Sequence, residues 1–287
     1  MDFFKIRRKT VKKECIKVYP DFLITKSKDF MVRGGTFYAV WDEKAGVWST
    51  DEHDVARLVD DALREYYQNM NDIFEVDVVV EYMSSFDSGS WRSYNQWVKS
   101  LPDNYHQLDS KLVFSNMEIN RDDYVSRKLT YPLIEGSYDA WDELVGTLYS
   151  PEERKKIEWA IGAIVSGDSK DIQKFLVLYG DAGAGKSTIL NIIQKLFDGY
   201  YTTFDAKALG SNSNAFSMEV FKENPLVGIQ HDGDLSRIED NTRINSIVSH
   251  EDMVLNVKYH SGYTIKLNCF LFLATNRPVK ITDAKSG

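Results

Sequence analysis

The run Gly180, Asp181, Ala182, Gly183, Ala184, Gly185, Lys186, Ser187 and Thr188 spells G-x-x-x-x-G-K-S-T, a pattern that handles phosphate. Glycines at these positions let the backbone curl until its N–H groups converge on phosphate oxygens. A helix starting where the run ends adds the partial positive charge of its N-terminus. In this chemistry Lys186 reaches the β- and γ-phosphates, Ser187 holds Mg²⁺ and Thr188 touches the α-phosphate. The flanking sequence agrees. Residues 174–179 form a short apolar run of the kind that makes a buried parallel strand. Ile189, Leu190, Ile192, Ile193, Leu196 and Phe197 continue the run as an apolar helix. Strand, glycine loop and helix is the order the chemistry requires, which sets aside a chance match in a glycine-rich turn.

Hydrolysis of a nucleoside triphosphate needs an acid at the end of a second apolar strand, facing metal and attacking water. Residues 226–230 are that strand, and Asp232 and Asp234 stand at its end. A plain Asp-Gly-Asp surface turn is the competing reading. A third apolar strand, 269–275, ends in Thr275-Asn276. The amide of Asn276 there can orient the water or sense the γ-phosphate, although Thr-Asn-Arg-Pro taken alone is only a turn. Between these motifs, residues 253–259 and 263–267 alternate around His260-Ser261-Gly262 and predict a β-hairpin with Lys258 and His260 near its tip. The bland alternative is a solvated hairpin whose lysine serves solubility.

The elements that must position these groups are legible in part. Residues 36–41 and 47–48 read as a β-hairpin around a five-residue turn, 42–46. Ser49 and Glu52 make a capping box. The helix after it carries Val55, Leu58, Val59, Ala62, Leu63 and Tyr66 on one face. Trp91, Tyr94, Trp97, Val98 and Leu101 predict another helix, stopped by Pro102, and both aromatic stripes read as core rather than as base-stacking platforms. Residues 120–137 are polar and turn-like. They place a boundary between an α+β domain, 1–135, and a second domain, 136–287. Ser150, Pro151 and Glu153 open a helix as N-cap, N1 and N3. Ile157, Trp159, Ala160, Ala163 and Ile164 are assigned to its buried side, and Gly167 to its stop.

Composition narrows the function classes. The chain has 287 residues, 43% hydrophobic and 13% aromatic, which excludes a mainly disordered protein. No apolar run is long enough to span a membrane, and the first twenty residues lack the apolar core of a signal peptide. Cys15 and Cys269 cannot build a disulfide framework, so a reducing intracellular compartment is expected, not secretion. The five histidines and two cysteines show no zinc-ligand spacing, and no nucleophile elbow supports a Ser-His-Asp hydrolase. Net charge is −8, yet residues 1–20 hold Lys5, Arg7, Arg8, Lys9, Lys12, Lys13 and Lys17 against Asp2 and Glu14, a net +5 that leaves −13 for the rest. That cluster reads as a solvated tail, or else as a contact to nucleic acid or a neighbouring subunit.

The series 180–188, 226–234, 253–258 and 270–278 resembles, in order and spacing, the superfamily-3 helicases of viruses and phages, and is most similar to the poxvirus-type primase–helicase branch. The resemblance covers about residues 136–280 and is weaker around 113–116 and 131–132, ahead of it. It implies an α/β fold: a P-loop AAA+-type ATPase domain with a mainly parallel sheet, preceded by a smaller α+β domain that serves accessory, DNA or subunit contacts. It also implies a homo-hexameric ring that threads single-stranded DNA through its channel and hydrolyses ATP between subunits during viral or phage DNA replication. Its cofactors would be ATP and Mg²⁺, with replication proteins such as a primase as partners and the host cytoplasm as its place if a phage encodes it. Lys186 then binds phosphate, Ser187 and Asp232 bind Mg²⁺, Asn276 is the polar sensor, and Lys258 and His260 contact DNA in the channel.

Two departures accompany the resemblance. The family's paired acids fall on His231 and Asp232, so the first acid is a histidine, and Asp234 is the candidate replacement. The family also places an arginine finger and closing elements beyond Gly287, so the chain resembles a truncated helicase or one piece of a longer one, poor at hydrolysis alone. Nothing in it resembles an intact primase domain. Two other readings stand beside the helicase: a P-loop ATPase for DNA packaging or loading, and a nucleotide-dependent structural or loading partner without unwinding. The short hairpin between the second and third motifs favours the helicase.

Overall fold

The computed structural model describes residues 1–12, 15–23, 26–70, 77–211, 214–233, 240–258 and 262–277. The chain divides into two compact units: residues 1–108 with 119–126, and residues 109–118 with 127–287.

The first unit holds β1 (Phe4–Lys12), β2 (Cys15–Phe22), β3 (Phe30–Arg33), β4 (Thr36–Asp42), β5 (Val47–Ser49), α1 (Glu52–Met70), β6 (Asp77–Val80) and α2 (Gly89–Ser100). One sheet runs β1-β2-β6, with β1 antiparallel and β6 parallel to β2. The other is the antiparallel meander β3-β4-β5. Phe3, Phe30, Val55, Leu63, Tyr94 and Trp97 pack between helices and sheets, so both aromatic stripes are core. The β4–β5 turn is one residue shorter than the sequence suggests. Asp42 stays in the strand opposite Val47, and its carboxylate accepts the N–H groups of Lys44 and Ala45. The start of α1 also differs from expectation. Ser49 pairs with Val40 inside the sheet, and the carboxylate of Asp51 caps the helix by accepting the N–H of His53 at 2.9 Å.

The second unit holds α3 (Asp139–Leu148), α4 (Pro151–Ser166), α5 (Ser169–Ile172), β7 (Leu176–Tyr179), α6 (Lys186–Leu196), β8 (Tyr201–Thr203), α7 (Ala206–Leu209), β9 (Val227–Gln230), α8 (Thr242–Val248), β10 (Asp252–Leu255), β11 (Tyr263–Lys266) and β12 (Phe270–Thr275). It is mixed α/β around a four-stranded parallel sheet, β7-β12-β9-β8. Every residue of β12 is buried. Phe270, Phe272 and Ala274 face the core built with α4 and α6, and Leu271 and Leu273 face the one built with α7 and α8. That two-sided burial is why the strand reads as a continuous apolar run. Gly228 of β9 has to be small, since a Cβ there would stand 2.6 Å from Leu271 Cδ2.

The α4 caps match their sequence signals: Ser150 and Glu153 form the reciprocal box, and Gly167 closes the helix at φ 79°. Trp159 does not join the buried side and is 44% exposed. Two residues past Ile157 is a rotation of about 200° around a helix, which carries the indole off the face that Ile157, Ala160 and Ile164 share. The division between units also falls elsewhere than the single joint at residue 135. Leu129 N–H donates to Val113 O and Ser115 N–H to Tyr131 O, and Leu112, Phe114 and Leu129 enter the second core. No helix of the described residues is long and apolar enough to cross a membrane.

Candidate nucleotide-binding site

Strand β7 ends at Tyr179, and residues 180–185 turn the chain into α6, which begins at Lys186. Gly183 and Gly185 have φ of 85° and 76°, the left-handed region that side chains disfavour. A Cβ on Gly185 would also meet Leu148 Cδ1 at 2.9 Å, so the end of α3 closes the back of the loop. Ala184 N–H donates to Asp181 O at 3.3 Å and makes the internal turn. Lys186 lies over the loop, its Nζ donating to the carbonyls of Gly180 and Asp181 at 2.7 Å each. Asp181, Ala182, Gly183 and Ala184 are exposed, as are Ser187 and Thr188 on the first turn of α6. Ile189, Leu190 and Ile193 anchor the helix beneath.

Strand β12 lies between β7 and β9, pairing Thr275 with Tyr179 and Leu273 with Gln230. Its end ties the two flanking loops together. Gly180 N–H donates to Thr275 O at 3.4 Å, and Gly233 N–H donates to Ala274 O at 2.9 Å. The glycine loop, Asn276 and Asp232 therefore follow the ends of three adjacent strands, whose axes span about 10 Å, two inter-strand spacings. Thr275 Oγ1 accepts the N–H of Arg277 at 3.1 Å and fixes the turn that presents Asn276 to solvent. Asp232 is exposed and His231 half-buried.

A cleft of about 490 Å³ opens beside Asp232, at the ends of β8 and β9. Thr203, Asp205, Lys207, Gln230 and His231 contribute to its walls. The buried Gln230 braces it, its Oε1 accepting the N–H of Ala206 at 3.0 Å. Sequence reasoning missed Asp205 and Lys207, which are interleaved with the buried Phe204, Ala206 and Leu209 in a stretch too short to show a period; only the Asp205 cap on Lys207 N–H marks them.

Strands β10 and β11 form the expected antiparallel hairpin, Leu255 opposite Tyr263. The strands are shorter than the alternation suggests, so Lys258 falls in the exposed connection, its Nζ 5.8 Å from the centre of the Phe216 ring. Asp234 and His260 lie outside the described residues.

Residues 178–286 match a family of unknown function, DUF5906. No curated protein matches the chain. Among solved structures, the A form apo structure of the NrS-1 C terminal region is similar over 69% of this chain, at 16% identity and a TM-score of 0.47. A second apo structure of that region, residues 305–718, gives 15% identity, 69% coverage and a TM-score of 0.47. The A form apo structure of residues 305–718 gives 17% identity over 53% of this chain and a TM-score of 0.41. The chain spans 52% of the length of the first two structures and 36% of the third.

Proposed function

We propose that the second unit is a P-loop ATPase domain of AAA+ type that drives DNA translocation, the helicase part of a superfamily-3-like replication protein of a virus or phage. One observation carries the reading. The glycine loop and the Asp232 turn are both tied by backbone hydrogen bonds to the end of β12, which itself delivers Asn276. Phosphate-binding, acidic and amide groups from separate parts of the sequence thus share one edge of the sheet.

The residues fit Mg-ATP. Two left-handed glycines shape the cradle, a cation covers it, and the Ser187 hydroxyl and Asp232 carboxylate are the hard oxygen donors that Mg²⁺ takes. Held by Ser187 and Asp232, magnesium would neutralise charge on the phosphates. Lys186 exchanges the carbonyls of Gly180 and Asp181 for phosphate oxygens, and Thr188 holds the α-phosphate. Asp232 either holds the metal or draws the proton from the attacking water, and Asn276 orients that water. Lys258 and His260 grip the DNA strand in the channel of a hexameric ring.

The test measures ATP binding, phosphate release and strand separation in one preparation. Lys186→Ala should abolish binding or turnover, and Asp232→Asn should reduce hydrolysis more than binding. Unchanged affinity and turnover in Lys186→Ala would refute the site. The histidine at 231, where a paired acid would fall, favours a second reading: a nucleotide-dependent loading partner that binds ATP without unwinding. Binding with no DNA-stimulated hydrolysis and no strand separation would select it.

A further inference from the structure

Part of the basic N-terminal cluster is strand rather than tail: Lys5, Arg7, Lys9 and Lys17 share one face of the β1–β2 pair, and Arg8 lies on the other. Strand alternation sends Phe4 to the core, and Phe22 and Val18 opposite follow it inward. Lys5, Arg7 and Lys9 take the other face, about 6.8 Å apart along the strand. Register sets Asp21, Tyr19 and Lys17 opposite them, and Val79 of β6 extends the last row. Lys5, Arg7 and Lys9 are exposed, Tyr19 and Lys17 are half-buried, and Val79 is 54% exposed.

The charges on this face are uneven: Lys5, Arg7, Lys9 and Lys17 stand against Asp21, Glu81 and, one pleat from Val79 on β6, Asp77. Arg7 pairs with Asp21 at 3.0 Å and Lys17 with Glu81 at 2.6 Å. No ion pair among the described residues engages Lys5 or Lys9. Lys9 stands directly across from Lys17, a placement of like charges that costs stability in an isolated sheet. Residues 4–22 carry seven cations against Glu14 and Asp21 within a chain of net charge −8. A surplus of positive charge on an acidic protein, with the Tyr19 ring beside Arg7 and the Val79 side chain next to Lys17 at the end of its row, is complementary to one kind of partner: a polyanion that also offers flat apolar rings.

The geometry points to this sheet face as a binding surface for single-stranded nucleic acid. Lys5, Arg7, Lys9 and Lys17 take the phosphates, and Tyr19 with Val79 receives a base. The surface is independent of the ATPase site and of the β10–β11 hairpin. Since β1 is an edge strand, its lysines have one competing role, keeping the edge from pairing with another chain.

The test is fluorescence anisotropy of the full chain with a labelled 20-nucleotide single strand and the matching duplex, at several salt concentrations. Lys5→Glu with Lys9→Glu should weaken single-strand binding at least tenfold. It should also flatten the log–log salt slope by about 1.4, two phosphates at ~0.7 each. Tyr19→Leu, which leaves charge unchanged, should weaken it about fivefold or more with the slope kept. ATP binding should be unaltered in both variants, and an unchanged urea-unfolding midpoint and near-ultraviolet circular dichroism spectrum report that the first unit folds. Parent affinity and slope in the double variant would overturn the inference and leave edge protection as the role. Loss confined to Lys258→Ala would overturn it too while sustaining the channel hairpin. Duplex bound more tightly than single strand would refute the choice of partner.

Discussion

Replacing Gly185 by alanine separates two reasons for a glycine at the end of the glycine loop. Its φ of 76° lies in the left-handed region, where a Cβ costs about 1–2 kcal/mol. The added methyl also meets Leu148 Cδ1 at 2.9 Å and Cδ2 at 3.0 Å. These are terminal atoms of a half-buried side chain and can yield by a few tenths of an ångström, so the backbone term dominates. Gly185→Ala should therefore destabilise the second unit by about 1–2 kcal/mol in urea unfolding, or else push the loop out of its left-handed turn. In the latter case the cost appears in nucleotide affinity instead, as a loss of about five- to thirtyfold. Leu148→Ala in the same chain should recover little of either. Titration of a fluorescent ATP analogue alongside the unfolding curves reads both quantities for the single and double variants. Full recovery in the double variant would refute the backbone argument and make packing against α3 the reason for the glycine. A single variant unchanged in both measurements would refute both reasons.

Two further outcomes are expected in the first unit. Asp60, 1% exposed on α1, accepts the N–H groups of Met83 at 2.6 Å and Ser84 at 3.0 Å, so Asp60→Ala should cost about 2–4 kcal/mol in chemical unfolding; a change under 0.5 kcal/mol would show that the 83–84 segment needs no anchor. Burial pushes the Asp42 carboxyl up, but its hydrogen bonds to Arg57 and to the Ala45 and Lys44 N–H groups outweigh that and hold it below the usual carboxylate range. A carboxyl depressed on folding adds stability at pH values above its unfolded pKa of about 3.9, and that part is lost as pH falls through the folded value. Asp42→Asn should flatten this acid limb of an unfolding-versus-pH series, and an unchanged limb would assign it to other carboxylates.

Much of the second unit could be read from the sequence because its signals are local. The glycine loop is contiguous, the Ser150–Glu153 box that opens α4 spans four residues, and β12 is apolar on both faces because both are covered. What escaped depends on pairing between distant segments. Ser49 and Asp51 are equally competent caps, and only the Val40–Ser49 bridge, which draws Ser49 into the sheet, leaves the task to Asp51. The units divide elsewhere than at residue 135 because the short apolar segment 112–114 and Leu129 are flanked by polar residues and enter the second core through pairing between distant segments, Leu129 N–H to Val113 O and Ser115 N–H to Tyr131 O. The site shows the same division. Asp232 and Asn276 each end a recognisable strand, while the cleft beside Asp232 takes Asp205 and Lys207 from a stretch without pattern.

Strand order in the parallel sheet has a consequence for how the chain is built. The central position goes to β12, which is made after β7, β8 and β9. Among the described residues, Leu176 has no strand neighbour to bond until Phe272 exists, and Val227 has none on the side that Phe270 will fill. During synthesis the strand that carries the glycine loop thus waits as an unpaired edge, as does one side of β9, and such edges recruit other chains. The long loop closure required makes this pairing slow as well as late. A chain halted before Phe270 would lack more than one strand: it would leave a gap in the middle of the sheet with two sticky margins, and the expected product is aggregate rather than a smaller folded domain.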